Sequence, residues 1–90
     1  MIFEYDETKR QQVIASRKID ILYAAQIFEG KVLTRIDDRK EYGEIRYISL
    51  GMVENECILV VHTMRDNVTR LITAWKGGKD ETEYYENNIT

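Results

Sequence analysis

The sequence contains no proline, one cysteine and one histidine among its 90 residues. Cys57 has no partner for an internal disulfide, and with His62 alone a zinc site would have to rely mostly on carboxylates, which is not the usual ligand set of zinc. Neither a metal nor another cofactor is therefore expected. The longest apolar run, Cys57–Val61, is far shorter than the roughly 20 residues of a membrane-spanning helix, so no membrane contact is expected. The N-terminal segment has no apolar stretch behind a basic start, and the cytoplasm is the expected compartment.

Positive charge is also scarce. Lys and Arg number 13 against 16 Asp and Glu, which gives a formal net charge of -3. Proteins that bind nucleic acid usually carry a basic surplus, because phosphate neutralisation and counterion release supply much of the affinity. The overall charge therefore counts against nucleic-acid binding. The charges are unevenly placed, however: basic residues follow one another from Arg65 to Lys79, and acidic residues crowd the segment Asp80–Glu86, so the sequence allows a local basic face.

The remaining composition, 43% hydrophobic and 32% charged, is typical of one folded domain, expected to span residues 1–90. Asp6 and Asp20 each precede an apolar pattern with helical spacing and suit helix N-caps. Later segments alternate between polar turns at 54–56 and 65–67, as antiparallel strands do. The predicted elements are a strand over 2–5, helices over 6–17 and 20–30, strands over 32–36, 44–53, 57–63 and 68–75, and a helix over 79–86.

This order, β-α-α-β-β-β-β-α, predicts an α+β fold. We expect a curved, mainly antiparallel sheet with two N-terminal helices packed on it and a C-terminal helix at the end of the chain.

The segment from Asp37 to Arg46 resembles the most specific motif of the BrnT family, in which Asp-Arg is followed by Tyr-Gly-Glu and a further Arg. The resemblance extends over roughly residues 3–85. Phe3–Lys9 is similar to the start of that family, Ala25–Phe28 to the end of its second helix, and Gly51 to a family glycine. Arg70–Lys76 is similar to a family segment that reads Arg-Ile-Ile-Ser-Ala-Arg-Lys.

The resemblance implies a RelE-like fold and a metal-independent ribonuclease toxin that arrests translation, with RNA as its substrate. It also implies a ribbon-helix-helix antitoxin as partner, which holds the toxin inactive, represses the shared promoter and forms a 2:2 complex with it. Contact with DNA is expected only through the antitoxin. The alternative is a catalytically weakened homologue that acts as an antitoxin-binding and transcription-modulating module.

Two regions of the sequence depart from the family pattern. The family usually has an Asn and then Lys-His-Gly at the end of the first helix, where this sequence has Val13 and Ser16-Arg17-Lys18. The Arg of the late segment is Trp75 here, and Gly77 stands where Ala is common. Both are places where RNA contacts or catalysis are expected, so these departures and the low net charge favour the weakened homologue.

Arg46 and Arg70 are the strongest catalytic candidates. RNA cleavage without a metal requires stabilisation of the negative phosphorane, and a guanidinium fork matches phosphate oxygens while staying charged. Each arginine lies among apolar neighbours in a predicted strand, where a charge needs a groove or a partner. The alternative is a structural ion pair, for instance of Arg46 with Glu44 or Asp38.

Other candidates have ordinary structural alternatives. Lys76 ends its strand and either reaches a phosphate as a third catalytic residue or is simply solvated. Trp75 either stacks a base or belongs to the core. Lys9 and Arg17 either extend a substrate-binding basic rim or lie on a solvated helix face. Arg39 either contacts substrate or orients its own loop by local pairing.

The general acid and base are not fixed by the sequence. His62 lies in the most apolar strand, and a packed histidine is the favoured interpretation. Tyr42 and Tyr47 are alternative proton carriers, although tyrosines on strands are common packing residues.

Overall fold

Helix α1 is bounded by two backbone caps. In the computed structural model, which describes residues 1–90, α1 spans Glu7–Arg17. The Asp6 carboxylate accepts a hydrogen bond of 3.0 Å from the backbone N–H of Lys9, as an N-cap side chain does. At the other end Lys18 adopts the left-handed conformation with φ 59°, and its N–H donates to the carbonyl of Ile14. Glycine is the residue that adopts this conformation without the usual penalty of about 1–2 kcal/mol, and here a lysine takes it.

The second predicted helix is split into two pieces. Asp20 caps α2, Ile21–Ala24, as predicted, but the chain continues as a 3₁₀ helix over Ala25–Glu29 and not as one α-helix to residue 30. The close approach of this 3₁₀ helix to the sheet depends on Gly51, because a Cβ there would lie 2.7 Å from the Cβ of Ile27. The 3₁₀ helix therefore forms where the chain packs closely against the sheet. Helical periodicity in the sequence did not predict this change of helix type.

Five strands form one sheet in the order β1-β5-β4-β3-β2. β1 pairs in parallel with β5, and all other neighbours are antiparallel. With helix α3, Lys79–Asn88, the structure confirms the predicted α+β class. None of the helices has the length and apolar composition needed to cross a membrane. The strands are β1 (Phe3–Glu4), β2 (Leu33–Ile36), β3 (Tyr47–Val53), β4 (Glu56–Arg65) and β5 (Val68–Lys76).

Tight turns connect the three long strands. In the turn from β3 to β4, Glu54 and Asn55 have φ of 48° and 68°, and in the turn from β4 to β5, Asp66 and Asn67 have φ of 51° and 69°. Two successive positive φ angles give the turn geometry that matches the twist of a hairpin, and asparagine tolerates it well. Both turns lie where the sequence predicted them.

The first of these strands is shorter than expected. β3 begins at Tyr47, whereas the sequence predicted a start at Glu44. Ahead of Tyr47 the backbone is held by a side chain, since Thr63 Oγ1 donates a hydrogen bond of 2.7 Å to the carbonyl of Ile45. At Ile45 a side-chain hydrogen bond takes the place of a regular backbone bond to β4. The alternation of residue types in the sequence does not show where this happens.

The two faces of the sheet carry different cores. On one face, here called the α1 face, the helices before β2 cover the larger core: Val13, Ile19, Ile21, Ala24, Ala25, Ile27, Val53, Ile58, Val60, Leu71 and Ala74. On the other, the α3 face, Trp75 and Tyr85 pack at the margin of a smaller core: Ile48, Leu50, Cys57, Leu59 and Val61. Toward the turn between β4 and β5 the α3 face carries the polar side chains of Thr63, Arg65 and Arg70.

His62 is enclosed on the α1 face. Its Nε2 lies 2.8 Å from Ser49 Oγ, which lies 2.7 Å from Thr34 Oγ1, and these groups cross three strands. The Tyr47 ring stacks on the imidazole with centroids 5.7 Å apart, and Phe28 meets it edge-on at 5.1 Å. Burial lowers the pKa of His62. The prediction of a packed histidine is confirmed.

Candidate active site

A buried carboxylate organises the loop between β2 and β3. Asp37 is 3% exposed and accepts two hydrogen bonds from the Arg39 guanidinium, of 2.8 and 2.9 Å. The Tyr42 hydroxyl donates a further bond of 3.0 Å to the same carboxylate. The Arg39 guanidinium in particular holds the pKa of Asp37 well below its usual range. A carboxylate that is ionised and fully bonded in this way fixes the position of both donors.

Arg46 lies against Tyr42 and pairs with a neighbouring carboxylate. Its Cζ atom is 4.3 Å from the centroid of the Tyr42 ring, and its Nε donates to Glu44 at 3.0 Å. Arg65 also reaches Glu44, at 3.2 Å. Hydrogen bonds from Arg46 and then Arg65 lower the pKa of Glu44. The ion pair expected between Arg46 and Glu44 is therefore present, and no such pair forms with Asp38.

Arg46 and Arg70 lie on either side of Thr63, in one row on the α3 face. Thr63 pairs with Arg70 across β4 and β5. On its other side Thr63 Oγ1 donates to the carbonyl of Ile45, the residue before Arg46, just ahead of the last β3–β4 pair, Tyr47 with His62. Two strand spacings of about 4.8 Å separate the backbones of the two arginines by roughly 10 Å. Side chains as long as arginine from both positions can therefore meet on one group that lies between them.

Arg70 also has a carboxylate partner. Its Nη1 lies 3.5 Å from Glu4 Oε1, and these two residues are direct partners across the parallel strands β1 and β5. The side chains are 27% and 41% exposed, so both remain in contact with solvent. Exposed pairs of this kind contribute about 0–1 kcal/mol, and a phosphate can replace the carboxylate at small cost.

Trp75 lies on the same face, at the other end of β5. It pairs with Leu59 of the smaller core, and its ring is half-buried. The Cζ atoms of Arg17 and Arg39 lie 4.9 and 5.3 Å from the centroid of the indole ring. Three predicted substrate-binding residues, from α1, the β2–β3 loop and β5, are thus brought together.

The two predicted lysines lie elsewhere. Lys76 pairs in register with Ile58, whose side chain belongs to the α1-face core, and Lys76 Nζ lies 3.3 Å from Glu56. Lys76 therefore lies on the face opposite Arg46. Lys9 is exposed in the first turn of α1, eight residues or about 12 Å along the helix from Arg17. The structure does not bring either lysine to the arginines of the α3 face.

The possible proton carriers are also divided between the faces. Tyr47 stacks on His62 on the α1 face, away from Arg46 and Arg70. Tyr42 lies under Arg46 on the loop and keeps its hydroxyl on Asp37. Of Tyr42, Tyr47 and His62, only Tyr42 therefore lies on the same surface as Arg46 and Arg70. No three His, Cys, Asp or Glu side chains come together in a group that could hold a metal ion.

A groove of about 470 Å³ continues the α3 face toward α3. Apolar residues form its floor, one arginine lies on the β2 side, and two carboxylates of α3 lie at the rim. The lining residues are Leu33, Thr34, Arg35, Ile48, Leu50, Leu59, Asp80, Glu81 and Tyr84.

The local pairing predicted for Arg39 is confirmed, with Asp37 as its partner, but sequence reasoning did not identify Asp37 as a buried organiser of the site. A signal was available, because Asp37 directly follows a predicted strand and Arg39 is two residues later, the spacing at which an Asp side chain commonly binds local backbone and side-chain donors. What the sequence could not show is that the carboxylate is buried, which makes it a fixed anchor and not a solvated loop charge.

Two exposed arginines around a half-buried tryptophan, with the half-buried Arg46 and Arg70 on the same sheet face, form a surface suited to phosphates and bases on a small α+β protein. The comparisons with known proteins identify the class further. The family model described as "Ribonuclease toxin, BrnT, of type II toxin-antitoxin system" matches residues 5–81, and the chain belongs to this family. Membership defines a toxin of a type II toxin–antitoxin system, with an antitoxin as its partner. No curated protein matches the chain.

Proposed function

We propose that this chain is an endoribonuclease that cleaves RNA without a metal and inhibits translation in the cytoplasm. The observation that carries the proposal is the row on the α3 face in which Arg46 and Arg70 flank one strand position. We also propose that residues 1–90 form one domain with a RelE-like fold. A ribbon-helix-helix antitoxin neutralises the toxin in a 2:2 complex.

In the proposed reaction the ribose 2′-oxygen loses its proton and attacks the adjacent phosphorus. The phosphorane that forms carries negative charge on its non-bridging oxygens, where the guanidiniums of Arg46 and Arg70 would bind. The bond from phosphorus to the 5′-oxygen then breaks, the 5′-oxygen takes up a proton, and a 2′,3′-cyclic phosphate remains on the other product. Tyr42, whose ring centroid lies 4.3 Å from the Arg46 guanidinium carbon, is the predicted proton carrier that lies beside the proposed phosphate site.

Both arginines are available to a phosphate despite their ion pairs. The Arg46 and Glu44 side chains are 26% and 28% exposed, so their pairing is screened by solvent. A phosphate can accept two parallel hydrogen bonds from each guanidinium, whereas Arg46 shares Glu44 with Arg65 and Arg70 lies 3.5 Å from Glu4. Lys76 is left outside the proposed catalytic set, because its register places it on the other face.

A second function has its own supporting observation. Trp75 stands where the family pattern has an Arg, and Arg46, Arg70 and Arg39 each already contact a carboxylate. A face with its charges neutralised in this way, on a chain of net charge -3, would bind RNA weakly. The chain would then act as an antitoxin-binding module that modulates transcription and cleaves little.

Inducible expression separates these functions. The parent chain, the double variant Arg46→Ala, Arg70→Ala and the matched surface variant Lys79→Ala would each be expressed alone, and growth and total RNA would be followed. We expect arrest and RNA loss with the parent and with Lys79→Ala, and neither with the double variant. Normal growth with the parent, together with tight co-purification of the antitoxin, would instead establish the binding module.

A further inference from the structure

Arg17 and Trp75 are far apart in the chain but meet in the folded protein. The Arg17 guanidinium carbon lies 4.9 Å from the centroid of the Trp75 ring. The chain therefore presents an aromatic platform with a cation on it. Such a platform can also take other ligands, because an indole binds flat π-systems as well as cations.

The two guanidiniums on the indole are held differently. Arg39 is fixed by two hydrogen bonds to the buried Asp37 while it lies 5.3 Å from the ring centroid. Arg17 forms no ion pair with any carboxylate and is the last residue of α1. The contact with Trp75 is thus the main interaction of the Arg17 head group, and Arg17 is the guanidinium that can leave.

Energetics favour an exchange of this cation for a nucleic-acid base. A cation–π contact at a half-exposed site is a weak interaction. Stacking of an unpaired base on an aromatic side chain is stronger, since its loss on alanine substitution typically weakens binding by about fivefold to a hundredfold. A base that replaces Arg17 on the indole gains more than the contact it removes, and the released guanidinium remains beside the backbone of the same nucleic acid.

We propose that Trp75 is a stacking site for one unpaired RNA base, with Arg39 as its fixed neighbour. Arg17 is the cation that the base displaces, and it then pairs with the adjacent phosphate. This inference rests on the proposed function in taking RNA as the ligand.

The position of this site relative to the arginine row defines the substrate further. The β4 partners of Arg70 and Trp75 are Thr63 and Leu59, which are only four residues apart because the register shifts at a bulge, so the two sites lie roughly 13 Å apart along the sheet. This distance is several times the roughly 3.4 Å step between stacked nucleotides. The stacked base therefore belongs to a nucleotide flanking the cleaved bond, and the substrate must be single-stranded over the whole span. Because every base has a flat π-face, this contact selects unpaired RNA more strongly than it selects a sequence.

Trp75 is the only tryptophan of the chain, so its fluorescence reports this site alone. The experiment titrates the full-length protein with a short single-stranded oligonucleotide in which 2′-O-methyl riboses prevent cleavage. We expect saturable quenching of the tryptophan emission, and no quenching by a blunt duplex of the same sequence. In anisotropy titrations with the labelled oligonucleotide, Trp75→Ala should raise Kd about tenfold, and Trp75→Phe, which keeps a ring, about threefold or less.

The variant Arg17→Ala tests the exchange itself. We expect it to keep the quenching, because the base no longer has to displace a cation, and to lower the slope of log Kd against log salt by about one, because one phosphate contact is lost. Circular dichroism of each variant shows whether it is folded. Should Trp75→Ala fail to fold, the Trp75→Phe and Arg17→Ala titrations still decide the proposal.

The outcomes for the stacking site and for the ribonuclease are separate. Oligonucleotide binding with no change in tryptophan emission overturns the stacking site, whether or not RNA is cleaved. Quenching by single strands from a protein that cleaves no RNA supports the stacking site and overturns the ribonuclease. A protein that neither binds nor cleaves RNA overturns both.

Discussion

The two faces of the sheet present side chains of similar chemistry in opposite surroundings. On the α1 face, His62 is enclosed between aromatic rings and bonded to Ser49. On the α3 face, Arg46 and Arg70 keep about a quarter of their side-chain surface exposed. Histidine is the residue type most often associated with proton transfer, but here its position makes it a structural group. The comparison shows that exposure on a shared surface, and not residue type, selects the functional candidates.

The largest expected effect is on the α3 face. Arg46→Ala should lower the rate of RNA cleavage about 100-fold, because a donor that binds developing negative charge typically contributes 10²–10³ in rate. Arg46→Lys should recover only part of this loss, since an ammonium lacks the two-pronged fork. Single-turnover cleavage of a labelled oligonucleotide measures both. A cleavage rate in Arg46→Ala equal to that of the parent would remove Arg46 from the site.

The next largest effect is expected at Asp37, which anchors the loop between β2 and β3. Asp37→Asn should destabilise the fold by about 2 kcal/mol, because two donors lose a charged acceptor in a buried position. It should also release Arg39 from its fixed position beside Trp75, which would shift the tryptophan emission of the free protein. Urea unfolding and emission spectra are the measurements. Asp38→Asn, one residue further on and outside any ion pair, is the matched control and should change neither.

Acid should destabilise the protein through His62 and Asp37, which act in two separate pH ranges. The folded pKa of His62 is lowered by burial, so the unfolded chain takes up a proton first, and stability falls as pH decreases below about 6.5. The slope can reach at most about 1.4 kcal/mol per pH unit. The pKa of Asp37 is also lowered, mainly by Arg39, and its contribution is lost only when pH falls below about 4.

Urea unfolding between pH 5 and 8 tests the histidine range. His62→Gln, which retains a hydrogen-bonding side chain, should flatten the dependence of the free energy of unfolding on pH between about 5 and 6.5. An unchanged slope in this variant would mean that another group titrates there.

The smallest expected effect is at Lys76. Lys76→Ala should leave cleavage within about twofold of the parent, because its partner Glu56 is solvated and exposed pairs contribute about 0–1 kcal/mol. The same cleavage assay measures it. A loss comparable to that of Arg46→Ala would show that the substrate crosses the end of the sheet and that both faces take part.

Local chemistry allowed much of the fold to be predicted. Asp6 and Asp20 cap the helices that follow them, and the turns with Asn55 and Asn67 lie where short polar segments interrupt the alternation. These features depend on side chains and backbone within a few residues of each other, so sequence spacing is sufficient to find them. The 3₁₀ helix and the late start of β3 were missed, because each depends on contact with a distant part of the sheet.

The arginine motif from Asp37 to Arg46 was likewise visible in the sequence, and so was Arg70. Their arrangement was not, because strand register decides which side chains share a face, and a shift by one residue exchanges the faces. Register places Trp75 beside Leu59 on the α3 face and the next residue, Lys76, beside Ile58 on the other. By itself the sequence determined the class of fold, the family and the basic residues of the candidate site. Only the tertiary structure decided that Arg17 and Trp75, which are far apart in the chain, meet in one contact, because three separate elements converge there.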